Sequence, residues 1–522
     1  MPIANRRSIL KAHALTGAGP SRLKGYAPKK FAEMRTPVVY KILEILTGIL
    51  LFSLTLFLAW AFGVNGLPWA LWTVRGLGWA LAALLLCKWV VRWRLDFAPP
   101  QHGSEGRSWP VFVLAGLTVV ILAWVLVSGL NARADATFGL NSQNLGFTVL
   151  HYRDHFVEWL PHSYDLTATR NAFWTYTGLA GAFWSARDWF RGFSRRERRL
   201  EAQPLPEVLP DRIRLWLWVW ILSTLVMGVT GVLQKLDGTR NLLWILPWGK
   251  HTLLEMPFGP YMYRANAAQY FNLVWPAALG FWWLLRQNAL ARNPLAPLGS
   301  DASVVLLPIT GILAACPAIT LTRGGTVISA LLLFASAMVF LGGRTGIRRG
   351  ARWSLAGVFS GAMLLIIVVA GSDLAGRFAR DDYHTLDGRT PILKAGLQMA
   401  SDFGWLGSGP ESVPAIYHLY RETAKDTDFS EGYLHNDWLE TVVTFGRGGA
   451  LLVILALAMV PTMWFLGRGH PVSGVFGVQI ALGLIGMLLH AAVDFPFQVV
   501  ALLGSWLLLA ALFTSIAPLR RS

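Results

Sequence analysis

The stretch "EGYLHNDWLETVVTFGRGGALLVILALAMV", Glu431 to Val460, decides how the chain is read. It opens on polar, titratable side chains, His435, Asn436 and Asp437, and carries no charge after Arg447. An apolar run of that kind is long enough to cross about 30 Å of hydrocarbon. A reactive cluster therefore stands about ten residues ahead of a membrane-spanning segment.

The rest of the chain has the same character. Of 522 residues, 54% are hydrophobic and 14% charged, where soluble domains carry about 25% charge. Many of the 25 tryptophans lie near the ends of apolar runs, where indole favours the bilayer interface. These features predict an all-α polytopic membrane protein. Twelve runs are long enough to span, near 42–62, 67–91, 109–130, 171–190, 215–233, 266–285, 303–320, 326–342, 353–371, 447–466, 472–493 and 498–515. Cys87 and Cys316 both lie inside such runs and read as small core residues. No cleavable leader is expected, because residues 1–41 are a basic, polar tail and the first apolar run is too long.

The formal charge of +17 is compatible with nucleic-acid binding, but its distribution points elsewhere. With the N-terminus inside, Lys and Arg favour the inner connections over the outer ones about two to one. Both termini are then cytoplasmic, and "RGFSRRERRL" (191–200) faces anionic headgroups. No nucleic acid is expected as a partner; membrane lipid is. Residues 42–371 hold nine spans, with external loops at 131–170 and 234–265, and 447–515 hold three more. The segment 372–446 is a large, external, helical loop. Its stretch "DFGWLGSGPESVP" is dense in turn residues and reads as a structured cap.

Several polar groups fall at expected outer edges. Arg323 in "LTRGGTVISALLL" sits on a tight turn, either snorkelling to the surface or facing the bundle interior. In "GRTPILKAGLQMA", Thr390–Pro391 reads as an N-cap followed by proline at the first helical position. Ile392, Leu393, Gly396, Leu397 and Ala400 then make an apolar face. Arg389 just ahead of that helix suits a phosphate, or an ion pair with Asp387. His435 either exchanges a proton near neutral pH or caps an interfacial helix, with Asn436 and Asp437 orienting it or capping in turn. His490 and Asp494, four apart, share a helix face as a packing pair. Arg264, with Asn266 and Asn272, marks the outer end of the sixth run and offers another phosphate contact. Asp381–Asp382 reads as a solvated acidic pair. No P-loop, dinucleotide fingerprint, zinc spacing or G-x-S-x-G elbow is present.

Arg323 in "TRGG", Arg389 in "GRTPILKAG", "GWLGSGPES", His435 in "HNDWLETVVTFGRGGALL" and "HAAVDFPFQ" follow in that order. The ordered set resembles the O-antigen ligase and polymerase superfamily over about 260–515. The resemblance implies a GT-C-like fold and a glycosyltransferase in the inner membrane of a bacterium. The donor would be an undecaprenyl-diphosphate-linked glycan. The acceptor would be lipid A-core or a second lipid-linked glycan, and no metal or other cofactor is expected. Connection 63–66 lacks the acids that metal-dependent relatives place there, which favours the metal-free branch. His435, Arg389 and Arg323 would be catalytic. Arg264, Asn436 and Asp437 would bind the diphosphate or acceptor, with His490 and Asp494 in support. Ligase and polymerase, including an exopolysaccharide polymerase, share these motifs. A transporter or flippase of lipid-linked oligosaccharide is the competing class; it would usually show inverted halves around a midplane site, and none is visible.

Overall fold

The computed structural model describes residues 36–64, 67–99, 101, 109–140, 146–194, 196–197, 209–239, 241–247, 257–292, 303–342, 349–379, 383–420, 432–466 and 469–518. The first helices are α1 (Val38–Trp60), α2 (Pro68–Arg94), α3 (Trp109–Leu130), α4 (Leu166–Arg191) and α5 (Asp211–Asp237). Next come α6 (Arg264–Arg292), α7 (Ser303–Ile319), α8 (Arg323–Gly342), α9 (Arg349–Ala379) and α10 (Tyr383–Asp402). A single turn, α11 (Val413–Ile416), precedes α12 (Asp437–Leu466), α13 (Gly474–His490) and α14 (Val500–Phe513).

Each of the twelve apolar runs coincides with a helix. Seven, α1, α2, α3, α5, α8, α9 and α12, are long and apolar enough to cross a membrane. The chain is a multi-pass membrane protein. α7, α13 and α14 are apolar but shorter. α4 and α6 are long but carry charged and polar side chains. α6 shows why: every residue from Arg264 to Leu284 is buried. Ringed by α5, α7, α8, α13 and α14, its surface meets protein rather than lipid, so Gln269 and Asn272 are tolerated inside it. The core tryptophans are tied by their indole N–H groups. Trp216 donates to Thr55 Oγ1 at 2.9 Å and Trp220 to Tyr270 Oη at 2.7 Å.

Four expectations need correction. The fold is not wholly helical: 131–170 contains an antiparallel hairpin of β1 (Ala134–Leu140) and β2 (Gly146–Tyr152). Thr137, Phe138, Phe147, Thr148 and Val149 supply its β-formers. α10 begins at Tyr383, so Pro391 lies within the helix, and Arg389 does not precede its N-terminus. The buried face of α10 is Ile392, Ala395, Gly396 and Met399, a cleaner three-four spacing, while Leu397 is exposed. Cys316 is buried, but Cys87 is exposed on α2.

At one end of the bundle, charges are paired across helices. Lys88 bonds Glu44 at 3.1 Å and Asp188 at 2.6 Å, Arg92 bonds Asp188 at 2.7 Å, and Arg212 bonds Glu44. This knot ties α1, α2, α4 and α5 together. The other end of α4 is fixed differently. Asp165 accepts from Ala168 N at 2.9 Å as its N-cap, and Thr169 Oγ1 donates to the Pro410 carbonyl at 2.7 Å.

That second contact leads to the segment 404–409. α12 is broken at Gly446, where φ is 69° and ψ 174°. An unbroken helix would pair Arg447 N with Val443 O and Gly448 N with Thr444 O. Instead Arg447 N donates to Gly404 O at 3.0 Å and Gly448 N to Trp405 O at 3.2 Å. The vacated Val443 and Thr444 carbonyls accept from Ser408 N and Gly409 N, both at 2.9 Å. The inserted segment thus gives all four of these groups new partners, which a buried backbone requires. Gly407 (φ 79°) and Gly446 touch backbone to backbone, leaving no room for a Cβ on either.

Gly446→Ala should therefore lower the unfolding free energy by about 3 kcal/mol, combining strain with a clash. Gly361→Ala, in a helix with open space around it, should be neutral or slightly stabilising. Thermal unfolding of both variants in detergent checks this; equal melting temperatures would remove the structural role assigned to the kink.

Candidate functional site

The turn 320–322 joins α7 to α8, with Leu321 at a positive φ of 61°. Thr320 Oγ1 and Thr322 Oγ1 hydrogen-bond at 2.9 Å, and Asn272 Nδ2 of α6 donates to Gly325 O at 2.9 Å. α8 thereby starts at a fixed place, with part-exposed Arg323 as its first residue. Arg264 is the first residue of α6; it is buried and shares a small cleft with Thr320 and Leu321. The first residues of α6 and α8, both arginines, thus lie beside one turn. Guanidinium groups and helix N-termini both favour an anion.

Phe495 organises the opposite wall. Tyr433 stacks on its ring at 4.4 Å between centroids, Tyr263 stacks at 5.6 Å, and His435 meets it edge-on at 4.9 Å. His435 has a positive φ of 51°, uncommon without glycine and enriched at functional sites. Its Nδ1 lies 3.3 Å from Asp494 Oδ1, which also accepts from Phe495 N at 3.1 Å. That contact assigns the imidazole proton to Nδ1 and leaves Nε2 as the basic nitrogen.

His490 and Asp494 do not share a helix face. α13 ends at His490, and Asp494 follows in the turn beyond it, with its N–H on the His490 carbonyl at 3.0 Å. Pro496 then opens a separate short turn and keeps the chain from resuming the helix. The pair splits its tasks: Asp494 meets His435, while the buried His490 ring packs against Gly324, the neighbour of Arg323. The segment 490–495 thus links Arg323, His435 and, through Tyr263, Arg264.

Asn436 caps α12, its Oδ1 accepting from Leu439 N at 3.0 Å. Asp437 is buried, and its carboxylate accepts from Phe497 N at 2.8 Å and Gln498 Nε2 at 3.1 Å. Its own N–H donates to Ala491 O at 2.8 Å. Glu440 reaches back to Leu434 N at 2.9 Å. These bonds hold the strap 434–437 in place. α10 packs beneath it, Gly396 against Leu434 and Leu439. The side chain of Arg389, on α10, lies outside the described residues, as do Asp381 and Asp382. Arg264, Arg323, His435, Asn436, Asp437, His490 and Asp494 are otherwise linked through contacts at one end of the bundle. Among the described residues, no three His, Cys, Asp or Glu side chains are grouped to hold a metal ion.

Sequence reasoning missed Glu411, directly after the inserted segment. Its φ is 65°, and burial pushes its carboxyl up to about 7, with Arg75 pulling it down and Asp165 adding a further push up. It also missed Phe495. The signal lay in "DFPFQ", where aromatic residues flank a proline beside an acid.

Residues 308–454 match the family model described as O-Antigen ligase. No curated protein and no solved structure matches the chain. The matched segment holds Arg323, Arg389, Glu411, His435, Asn436 and Asp437 and leaves Arg264, His490 and Asp494 outside it. The likeness to the O-antigen ligase family thus extends over a little more than a quarter of the chain.

Proposed function

We propose that the protein is a glycosyltransferase that moves or polymerises a glycan from an undecaprenyl-diphosphate-linked donor onto an acceptor hydroxyl. It acts at the outer face of a bacterial inner membrane, with inversion and without a metal ion. The observation that carries this reading is the placement of Arg264 and Arg323 beside the 320–322 turn, linked by 490–495 to the His435–Asp494 pair.

The chemistry follows from the residue types. As the glycosidic C–O bond breaks, negative charge gathers on the departing diphosphate. Guanidinium groups at helix N-termini stabilise that charge in a site poor in water. Arg389 adds to this set by its place in the motif. The acceptor hydroxyl attacks the anomeric carbon from the opposite face and loses its proton to His435 Nε2. Asp494 holds the ring and stabilises the imidazolium that forms. The lipid remains in the bilayer while diphosphate and sugar project from it, which places the reacting groups at a membrane edge. The acceptor is lipid A-core or a second lipid-linked glycan.

Purified protein incubated with lipid-linked glycan and candidate acceptors should give glycan on lipid A-core or on a lengthened lipid-linked chain. Export of intact donor across vesicles without transfer would instead favour a flippase. Arg323→Ala and Arg389→Ala should each lower transfer at least about 10²-fold at normal protein level. His435→Ala should cost about 10²–10⁴-fold. Turnover near wild type in any of the three removes that residue from the mechanism. Transfer should persist in excess chelator; strict dependence on an added divalent cation would overturn the metal-free reading.

A further inference from the structure

α4 ends on two arginines, Arg187 and Arg191, four apart and therefore on one face of the helix. Arg187 is only 8% exposed, and Arg191 is part-exposed. The guanidinium Nε of each is buried without a hydrogen-bond acceptor. Among the described residues, neither side chain donates a hydrogen bond or forms an ion pair. The Trp184 ring lies 5.9 Å from the Arg187 guanidinium, and Arg191, a like charge, is within electrostatic range of it. Two cations at this spacing repel, and a buried charge without a counter-charge is costly.

The carboxylates at this end are already taken. Asp188 adjoins Arg187 in sequence, but a helix turns about 100° per residue, and Asp188 meets Lys88 and Arg92 of α2 instead. Glu44 meets Lys88 and Arg212. The knot thus leaves no acceptor for Arg187 or Arg191. A bilayer can supply one. Gln101 bridges to Gly192 just past the end of α4, and α3, a candidate membrane span, begins soon after at Trp109. Trp109 and Phe112 are exposed there, as aromatic side chains are at a bilayer interface. Phosphodiester oxygens accept paired N–H donors from guanidinium groups, and their charge offsets the repulsion between two of them.

We propose that Arg187 and Arg191 hold the phosphate of an anionic phospholipid, seated where α4 ends beside the start of α3. The lipid is a fixed constituent of the fold, not a substrate. Its charge lets Arg187 stay buried, and its chains lie along the exposed face of α3. Inorganic phosphate offers the same oxygens without the chains. The site is at the opposite end of α4 from the cap, so it can fail without touching the transferase reading.

Thermal unfolding of the full chain, delipidated in a neutral detergent, tests this with added phosphatidylglycerol, phosphatidylcholine or inorganic phosphate. Phosphatidylglycerol should raise the melting temperature at about a tenfold lower concentration than phosphatidylcholine, the weight of one hydrogen bond to a charged group. Inorganic phosphate at the same concentrations should leave it unchanged. Arg187→Met removes an uncompensated charge, so it should not lower the lipid-free melting temperature, and it should erase the preference between the lipids. Arg191→Gln, at a part-exposed position, should erase it too. Arg196→Gln, exposed in the same basic stretch, should leave the preference intact. Equal action of the two lipids on the unaltered protein overturns the proposal, as does a shift reproduced by phosphate alone. So does an Arg196→Gln loss as large as that of Arg191→Gln, which reports diffuse attraction, or a lipid-free Arg187→Met that melts lower, which reports an acceptor within the protein.

Discussion

Four backbone hydrogen bonds between 404–409 and the break in α12 at Gly446 set the position of everything around His435. A membrane helix cannot be broken cheaply, because each orphaned N–H or carbonyl in a dry interior costs about 1–3 kcal/mol. Here the inserted segment supplies a partner for each of the four groups. The break and the insertion therefore form together or not at all. The same segment then carries the chain to Pro410, which Thr169 grips, and to Glu411. One exchange of bonds thus ties α12, α4 and the cap into a single rigid piece.

That piece is what lets a strained residue persist. His435 and Glu411 both hold positive φ without being glycine, a conformation that costs of order 1–3 kcal/mol and survives only where surroundings over-determine it. For His435 the surroundings are visible: Asn436 caps the helix behind it, Glu440 holds Leu434 ahead of it, and Phe495 and Asp494 bracket the ring. A flexible loop would relax both residues. Preorganisation of this kind lets a site act without reorganising at the moment of reaction.

The sequence made the helices legible because apolar runs are local. All twelve runs are helical. It did not show which helices are wrapped by others. α6 reads as one more span, yet it is the buried axis, and only three-dimensional packing reveals that. For the site, the order of the motifs brought Arg323, His435 and Asp494 under suspicion. It could not reveal Phe495 as their hub, since Tyr263, Tyr433 and Phe495 are far apart in the chain. Nor could it show that Asn436 is occupied with capping, a local alternative equally consistent with its position. The helix start at Tyr383 escaped because Thr-Pro is a strong start signal, and an earlier start still accommodates proline within the helix.

The distribution of charge carries the argument one step further. At the end of α4 marked by Asp188, cations and carboxylates are paired directly and bind helices together. The other end of that helix meets the cap, where Thr169 bonds Pro410. A knot of paired charges serves stability alone. The arginines that open α6 and α8 stand instead at helix N-termini, where positive potential and N–H donors favour an anion.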